Sequence, residues 1–218
     1  MARRRRPGNP LALAVLTTVA EQPRHPYEIA QVLRERGKEY SIKINYGSLY
    51  TVVQTLERNG LIEAVGTERD GRRPERTVYG ATDEGREELR DWLADWLSVH
   101  QKEYPRFESA LSLMGALPPD EVRDLLEIRL RRMDAENAGI RGTITQLRGT
   151  LPRIFLLETE YALAMAEAEA DWVRGLLGDF DDESLDGLAG WREYHRTGAA
   201  PKEWTELPTV KEGRRPTS

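Results

Sequence analysis

Within the first 85 residues, the spacing of apolar residues changes once, from a helical pattern to a strand pattern. This change constrains the fold more than any other feature of the chain. Three consecutive segments carry apolar residues at the three- and four-residue spacing of amphipathic helices, and two short β-type segments then flank the turn Asp70-Gly71. In the third helical segment, the apolar stripe consists of Leu49, Val52, Val53 and Leu56. Three helices followed by a two-stranded hairpin predict a winged helix-turn-helix domain over residues 10–85.

Two longer apolar seams lie in the second half of the chain, on either side of Pro152. The first keeps a heptad repeat for more than three heptads, and the second is closer to an 11-residue repeat. They predict two antiparallel helices that pack as a hairpin. Because seams of this length often recruit a second chain, residues 86–178 are predicted to form a helical, coiled-coil-like dimerisation domain. The first seam consists of Leu126, Leu130, Met133, Asn137, Ile140, Ile144, Leu147 and Leu151, and the second of Ile154, Leu157, Tyr161, Met165, Ala168, Trp172 and Leu176.

The two ends of the chain differ from these domains in composition. Residues 1–9 include four consecutive arginines and predict a flexible basic arm. Residues 179–218 begin with an acidic patch, predict a short helix around residues 185–194, and become rich in proline and mixed charge, so residues 199–218 are predicted to be mostly disordered. The fold class expected for the whole chain is therefore mostly α.

Composition excludes several classes of function. The chain has no cysteine and only three widely separated histidines, which argues against thiol chemistry and metal sites. A nucleophile–base motif and a glycine-rich phosphate loop are both missing from the sequence, so we expect neither an enzyme nor a cofactor. No apolar run approaches the roughly 18 residues of a membrane span, and the N-terminus matches a secretory signal poorly, which predicts a cytoplasmic protein. The net charge of −5 divides into +3 for residues 1–85 and −8 for the rest, which favours an anionic partner for the first domain.

Three separated motifs give the chain a family resemblance. Residues 45–50 with residues 56–62 resemble the third-helix signature of the PadR family of winged-helix transcriptional regulators. Residues 25–29 resemble the start of that family's second helix, although Pro26 stands where glycine is common, and residues 76–85 resemble its second wing strand and the turn that follows. Residues 108–178 are more loosely similar to the helical C-terminal region of the longer members, and residues 1–9 and 179–218 have no counterpart.

The resemblance implies a homodimeric DNA-binding regulator, usually a repressor. In such a protein the helix after the wing and the C-terminal helices form the dimer, and the ligands are small aromatic or cationic molecules bound near the dimer interface. The alternative is a winged-helix adaptor that contacts proteins without binding specific DNA. We therefore expect double-stranded DNA, a second copy of the chain and a small aromatic effector as partners, with an inverted repeat as the target.

The residues expected to contact DNA lie on the outer face of the third helix, before it and in the wing. That face is polar and uncharged in its middle, which suits hydrogen bonds to base edges, whereas an ordinary solvated face is usually richer in Glu and Lys. Basic residues before the helix and in the wing suit phosphates. The predicted DNA-binding residues are Lys43, Tyr46, Gly47, Ser48, Tyr50, Thr51, Gln54, Arg72, Arg73 and Arg76.

A second set of residues is expected at the dimer interface or around an effector. Trp92 and Trp96 lie one helical turn apart, and they are either packed in a core or interface, or form an aromatic wall that holds a planar ligand. The same two interpretations apply to Tyr161 and Trp172. The full set consists of Leu89, Trp92, Leu93, Trp96, His100, Met133, Ile140, Tyr161 and Trp172.

Overall fold

The computed structural model describes residues 9–68, 76–201 and Trp204. The chain divides into two compact units, residues 1–102 and residues 103–218. The division falls after the fourth helix, whereas the sequence places the boundary before it, at residues 85 and 86. The physical reason is that the fourth helix packs against the first helix and contributes a tryptophan to the core of the N-terminal unit.

Within the described residues, four α-helices and one β-hairpin build the N-terminal unit. The elements are α1 (Pro10–Glu21), α2 (Pro26–Glu35), α3 (Tyr46–Arg58), β1 (Ile62–Glu68), β2 (Arg76–Ala81) and α4 (Asp83–Ser98). Each of these helices begins with a side-chain cap. Asn9 Oδ1 accepts from the Leu11 N–H at 2.9 Å, His25 Nδ1 from the Tyr27 N–H at 3.1 Å, Asn45 Oδ1 from the Ser48 N–H at 3.0 Å, and Thr82 Oγ1 from the Gly85 N–H at 3.0 Å. These contacts satisfy backbone donors that the first turn of a helix leaves free.

The core of this unit is formed by the inner faces of α1, α2 and α3 together with Trp92 of α4. The predicted stripe of α3 is confirmed, because Leu49, Val52, Val53 and Leu56 are all buried. Trp92 is only 1% exposed, and Leu89 packs against the same core. Of the two roles left open for Trp92, core packing is therefore the one that the structure shows, and Trp92 does not line an effector or dimer surface.

The hairpin forms the wing of the predicted fold. Strands β1 and β2 are antiparallel, with Ile62 opposite Ala81 and Glu68 opposite Arg76, and a bulge interrupts the register between Ala64 and Gly66. The wing tip with Arg72 and Arg73 lies outside the described residues.

The turn from the wing into α4 leaves no space for a side chain at Gly85. A Cβ atom built there would lie 1.9 Å from the carbonyl oxygen of Leu61. That carbonyl also accepts the Thr82 N–H at 3.2 Å, and the Thr82 hydroxyl donates to the Gly60 carbonyl at 2.7 Å. The contact is with backbone, which cannot rotate away, so glycine is required where α3, the wing and α4 meet.

We expect Gly85→Ala to lower the free energy of unfolding by about 3 kcal/mol, at the upper end of the cost of overpacking. Gly47→Ala is the matched control in α3, because a Cβ atom there would meet only Asn45 Oδ1, at 3.4 Å. Urea denaturation followed by circular dichroism would measure both. Equal midpoints for Gly85→Ala and the wild type would show that the turn is not tightly packed.

The C-terminal unit consists of α5 (Arg106–Leu113), α6 (Pro119–Leu147), α7 (Leu157–Asp181) and α8 (Leu188–Thr197). Helices α6 and α7 form the predicted antiparallel hairpin, and ion pairs join them along its length. Arg123 pairs with Asp181 at 2.8 Å, Arg174 with Asp134 at 2.9 Å, and Arg148 with Glu160 at 3.2 Å. The predicted seam of α6 is confirmed from Leu126 to Leu147, where its members are buried or half-buried, and Leu151 lies exposed beyond the helix.

The predicted seam of α7 is wrong except at Leu176, which is half-buried and packs on the second core. Tyr161 is 68% exposed, and Trp172 is 52% exposed, so this stripe faces away from the core. Helix α7 is apolar on two faces because it is rich in alanine and leucine, and the periodic pattern alone did not choose between them. The other buried and half-buried apolar residues belong to a second heptad series: Leu156, Leu163, Ala166, Ala170, Val173, Leu177 and Phe180.

The first part of the C-terminal extension packs on the second core. The predicted short helix exists as α8, where the Trp191 indole N–H donates to the Leu117 carbonyl at 3.0 Å and Arg192 pairs with Asp120 at 3.2 Å. The Trp204 ring lies 5.7 Å from the ring of Tyr194. The disorder predicted for residues 199–218 is therefore wrong at Trp204, and residues 202, 203 and 205–218 lie outside the described part of the chain.

Candidate DNA-binding surface

The outer face of α3 carries the residues that the sequence predicts to contact DNA. Lys43 in the approach to the helix and Tyr46, Gly47, Ser48, Tyr50, Thr51 and Gln54 on the helix are all exposed. On the helix, Gly47, Thr51 and Gln54 lie opposite the buried stripe, and Tyr46, Ser48 and Tyr50 flank them. The burial of one face and the exposure of the other follow directly from the 3.6-residue period.

Hydrogen bonding leaves polar groups on this face available to a partner. The Thr51 hydroxyl donates to the Gly47 carbonyl at 3.0 Å, so its lone pairs can still accept a hydrogen bond. No hydrogen bond from the Gln54 amide occurs within the described residues. An amide that offers both donors and an acceptor is suited to the edge of a base, adenine above all.

Gly47 is not required by the packing of the free protein. Its backbone has no positive φ, and only the Asn45 side chain would approach an added Cβ atom. A glycine at this exposed position therefore leaves room beside the helix backbone, and the close approach of DNA there stays a prediction.

The structure adds two residues that the sequence interpretation missed. The rings of Tyr27 in α2 and Tyr46 in α3 are stacked, with centroids 6.2 Å apart and 14° between their planes. The guanidinium of Arg34 donates to the Tyr46 hydroxyl at 2.6 Å and lies 4.5 Å from the centroid of the Tyr46 ring. Tyr27 and Arg34 are seven residues apart on one helix, which was the available signal that they share a face.

Tyr79 of the wing contacts the end of α3, and Arg76 lies in the same strand. Arg76 begins β2 and is half-buried. The Tyr79 hydroxyl donates to Glu57 at 3.4 Å, at the end of α3. Burial and the negative charge of Glu57 raise the pKa of Tyr79, so the phenol keeps its proton at neutral pH.

The second predicted set of residues is divided between the two units. Trp92 lies in the N-terminal core, Leu93 and Trp96 are exposed on α4, and His100 is exposed just after that helix. Met133 and Ile140 are half-buried in the α6–α7 hairpin. Trp92 and Trp96 do not together form the wall of a ligand pocket, because the ring of Trp92 is buried.

An outer stripe of apolar residues runs along α7. The Trp172 ring in this stripe meets the edge of the Phe107 ring, with centroids 6.2 Å apart and planes at 79°. The face is long, apolar and exposed, which is typical of an interaction surface. We define the outer stripe of α7 as Ile154, Leu157, Tyr161, Met165, Ala168 and Trp172.

A cavity of about 300 Å³ lies between α5, the turn after it and α6. Its walls are mostly apolar, and its cationic group is Arg129. The Arg129 guanidinium lies 3.9 Å from the Phe107 ring centroid, and its Nε donates to Glu169 at 3.0 Å. The cavity lining comprises Phe107, Ala110, Leu111, Leu113, Met114, Leu117, Val122, Leu125, Leu126 and Arg129.

The described residues contain neither a cluster suited to a metal ion nor a helix suited to a membrane. Across residues 9–68 and 76–201, no three His, Asp or Glu side chains lie close enough together to hold a metal ion. None of the helices in the same part of the chain has the length and apolar character of a membrane span.

Comparison with known proteins identifies the family. The family model described as "Transcriptional regulator PadR-like family" matches residues 15–91, which include α2, α3 and the wing. The chain belongs to the PadR-like family. A relative from Mycobacterium tuberculosis, "Probable transcriptional regulator Rv1176c", is 32% identical over 85 residues, which are 39% of this chain and 44% of the relative. The match thus spans less than half the length of that relative.

The PadR protein of Bacillus subtilis matches over more of the chain. This "Negative transcriptional regulator PadR" is 21% identical over 182 residues, which are 79% of this chain and 98% of that protein. Its crystal structure in complex with operator DNA has a TM-score of 0.62 and covers 77% of this chain and 97% of its own. Its structure in complex with p-coumaric acid has a TM-score of 0.61 and 21% sequence identity, and it covers 78% of this chain and 98% of its own. The PadR fold therefore includes the helical C-terminal unit.

The two tryptophans of α4 should differ sharply in their effect on stability. We expect Trp92→Ala to lower the free energy of unfolding by about 3–5 kcal/mol, as large core truncations do. Trp96→Ala should lower it much less, because the Trp96 side chain is 41% exposed. Urea denaturation of both variants would measure the difference, and equal losses would contradict the placement of Trp92 in the core.

Proposed function

We propose that this PadR-like protein is a sequence-specific DNA-binding transcriptional repressor that binds an inverted repeat as a homodimer. The observation that carries the proposal is the exposed polar face of α3, uncharged in its middle, which the buried stripe of the same helix holds in a fixed orientation. Family membership, the negative regulator of Bacillus subtilis and its complex with operator DNA support it. The adaptor alternative has no comparable support.

In this proposal α3 enters the major groove and the wing follows the phosphate backbone. Thr51 and Gln54 meet base edges, and Gly47 lets the helix backbone approach the duplex closely. Lys43, Arg72, Arg73 and Arg76 bind phosphates. The protein acts on chromosomal DNA in the cytoplasm, without catalysis and without a cofactor.

The helix and the wing should make different contributions to DNA binding. Gln54→Ala should change the preference among operator variants by about 1–3 kcal/mol at the contacted base pair, because the amide reads a base edge. Arg72→Ala with Arg73→Ala should weaken binding to all sequences and reduce the salt dependence, because a protein that makes fewer phosphate contacts releases fewer counterions when it binds.

Fluorescence anisotropy at several salt concentrations would measure both effects, on duplexes selected from a random library and on unselected duplexes. Gly66→Ala is a control in the wing, because an added Cβ atom there meets nothing within 4 Å. If the helix and wing variants act alike on selected and unselected DNA, the assigned roles are wrong.

The homodimer places the outer stripe of α7 against a second copy. One face of α7 is already buried in the α6–α7 hairpin, and the opposite face carries large apolar residues that the described part of the chain leaves exposed. Two-fold symmetry makes a self-complementary stripe sufficient, because each residue then meets the same surface on the partner. Such a dimer can set two copies of α3 about one turn of DNA apart, roughly 34 Å.

We expect Tyr161→Glu with Met165→Glu to convert the dimer to a monomer, because carboxylates would be buried in an apolar interface. Ala162→Glu is the matched control, since Ala162 is exposed on α7 outside the outer stripe. Light scattering at micromolar concentration would give the masses. A wild-type monomer, or a dimer that survives the double substitution, would contradict this interface.

The effector is proposed to be a small aromatic molecule bound in the cavity beside α5. The apolar walls suit an aromatic ring, and Arg129 lies where it can pair with an anionic substituent in place of Glu169. The complex of Bacillus subtilis PadR with p-coumaric acid supports an effector of this class. Since only a ligand with unequal affinities for two states shifts their populations, the effector must bind the DNA-free state more tightly.

Arg129→Gln should weaken binding of p-coumaric acid at least tenfold, which corresponds to about 1.4 kcal/mol, because the charge-assisted contact is lost. Arg131→Gln is the control, since Arg131 lies on the same helix, outside the cavity, and pairs with Glu127 at 3.0 Å. Isothermal titration calorimetry would measure both. Equal affinity of the two variants would exclude Arg129 from the effector site.

A further inference from the structure

A cluster of two tyrosines and one arginine joins α2 to the start of α3, outside the contacts that the winged-helix pattern predicts. The Tyr27 and Tyr46 rings are stacked, and the Arg34 side chain reaches from α2 to the Tyr46 hydroxyl. All three side chains are exposed. The cluster is therefore an ordered arrangement at the surface and does not contribute to the buried core of the unit.

The acidic residues of α2 are engaged elsewhere. Glu28 accepts the backbone N–H of His25 at 3.0 Å, and Glu35 accepts the amide of Gln31 at 2.8 Å. Within the described part of the chain, Arg34 forms no ion pair. Arg36, two residues later, pairs instead with Glu21 at 2.7 Å. Arg34 is thus a positive charge that is held in place by a neutral partner.

We propose that Arg34 binds a phosphate of the DNA backbone next to the base-reading face of α3, and that Tyr46 positions it. This inference rests on the proposed function. A guanidinium has five N–H donors, and the Tyr46 hydroxyl occupies one of them, so a pair of donors remains for two phosphate oxygens. The Tyr46 hydroxyl accepts from Arg34 and can donate its own proton to the same phosphate.

The cluster also explains why an arginine is suitable at this position. A planar guanidinium stacks on an aromatic ring, whereas a lysine ammonium is a compact charge on a mobile stem. The stack of Tyr27 on Tyr46 restricts the ring on which Arg34 lies. Because the side chain is ordered before DNA arrives, less conformational entropy is lost when the phosphate binds.

The test measures binding of a labelled, mixed-sequence duplex by fluorescence anisotropy over a range of salt concentrations. Phosphate contacts appear in the slope of log K against log salt, with about 0.9 for each contact. Arg34→Ala should reduce the slope by about that amount per bound protomer. Arg36→Ala, the control at the residue that follows α2, should leave the slope unchanged, because Glu21 already neutralises Arg36.

Two conservative variants separate charge from position. Arg34→Lys should keep the wild-type slope and bind more weakly, since it keeps the charge and loses the paired donors. Tyr46→Phe should also keep the slope and bind more weakly, because it removes the hydroxyl that holds Arg34.

If Arg34→Ala matches the wild type in slope and affinity, the inference is wrong although the proposed function stands. If the wild type binds no duplex, the proposed function fails and this inference fails with it. Circular dichroism would verify that each variant is folded. If Arg34→Ala does not fold, the two conservative variants test whether Arg34 binds a phosphate.

Discussion

The burial of one side of α3 against α1 and α2 is the interaction on which the rest of the N-terminal unit depends. Leu49 and Leu56 lie at opposite ends of the buried stripe, and both are almost completely inaccessible. A helix that is anchored over two turns on one face presents its other face at a fixed angle. Trp92 closes the same core from α4, and Gly85 permits α4 to begin directly against the turn after α3. The proposed recognition of DNA by α3 therefore depends on these apolar contacts.

The elements of the fold that could be predicted from the sequence are those in which only one apolar face exists. Helix α3 has a single stripe opposite polar residues, so its orientation followed from the spacing alone. Helix α7 has two apolar faces, and the wrong one was assigned to the hairpin because the spacing of Tyr161 and Met165 fits a helix as well as that of Leu163 and Ala166. The choice depends on the ion pairs and volumes that α6 provides, which a single-helix pattern does not contain.

The candidate site shows the same division between local and long-range information. The exposed face of α3 was predictable, since it is the complement of the buried stripe. The contact of Arg34 with Tyr46 joins residues of different helices and has no signature in the sequence. Trp92 and Trp96 looked equivalent because they lie one turn apart, yet a core that wraps one side of α4 buries the first and leaves the second partly exposed. Each of these outcomes depends on tertiary packing.

The central claim is that two copies of α3 read the major groove of one duplex. Methylation interference on a selected operator tests it directly, because methylation at guanine N7 modifies the major groove and methylation at adenine N3 modifies the minor groove. The account predicts two clusters of interfering guanines, related by two-fold symmetry and separated by about one helical turn, roughly 10 base pairs. A single cluster, or interference at adenines alone, would contradict it.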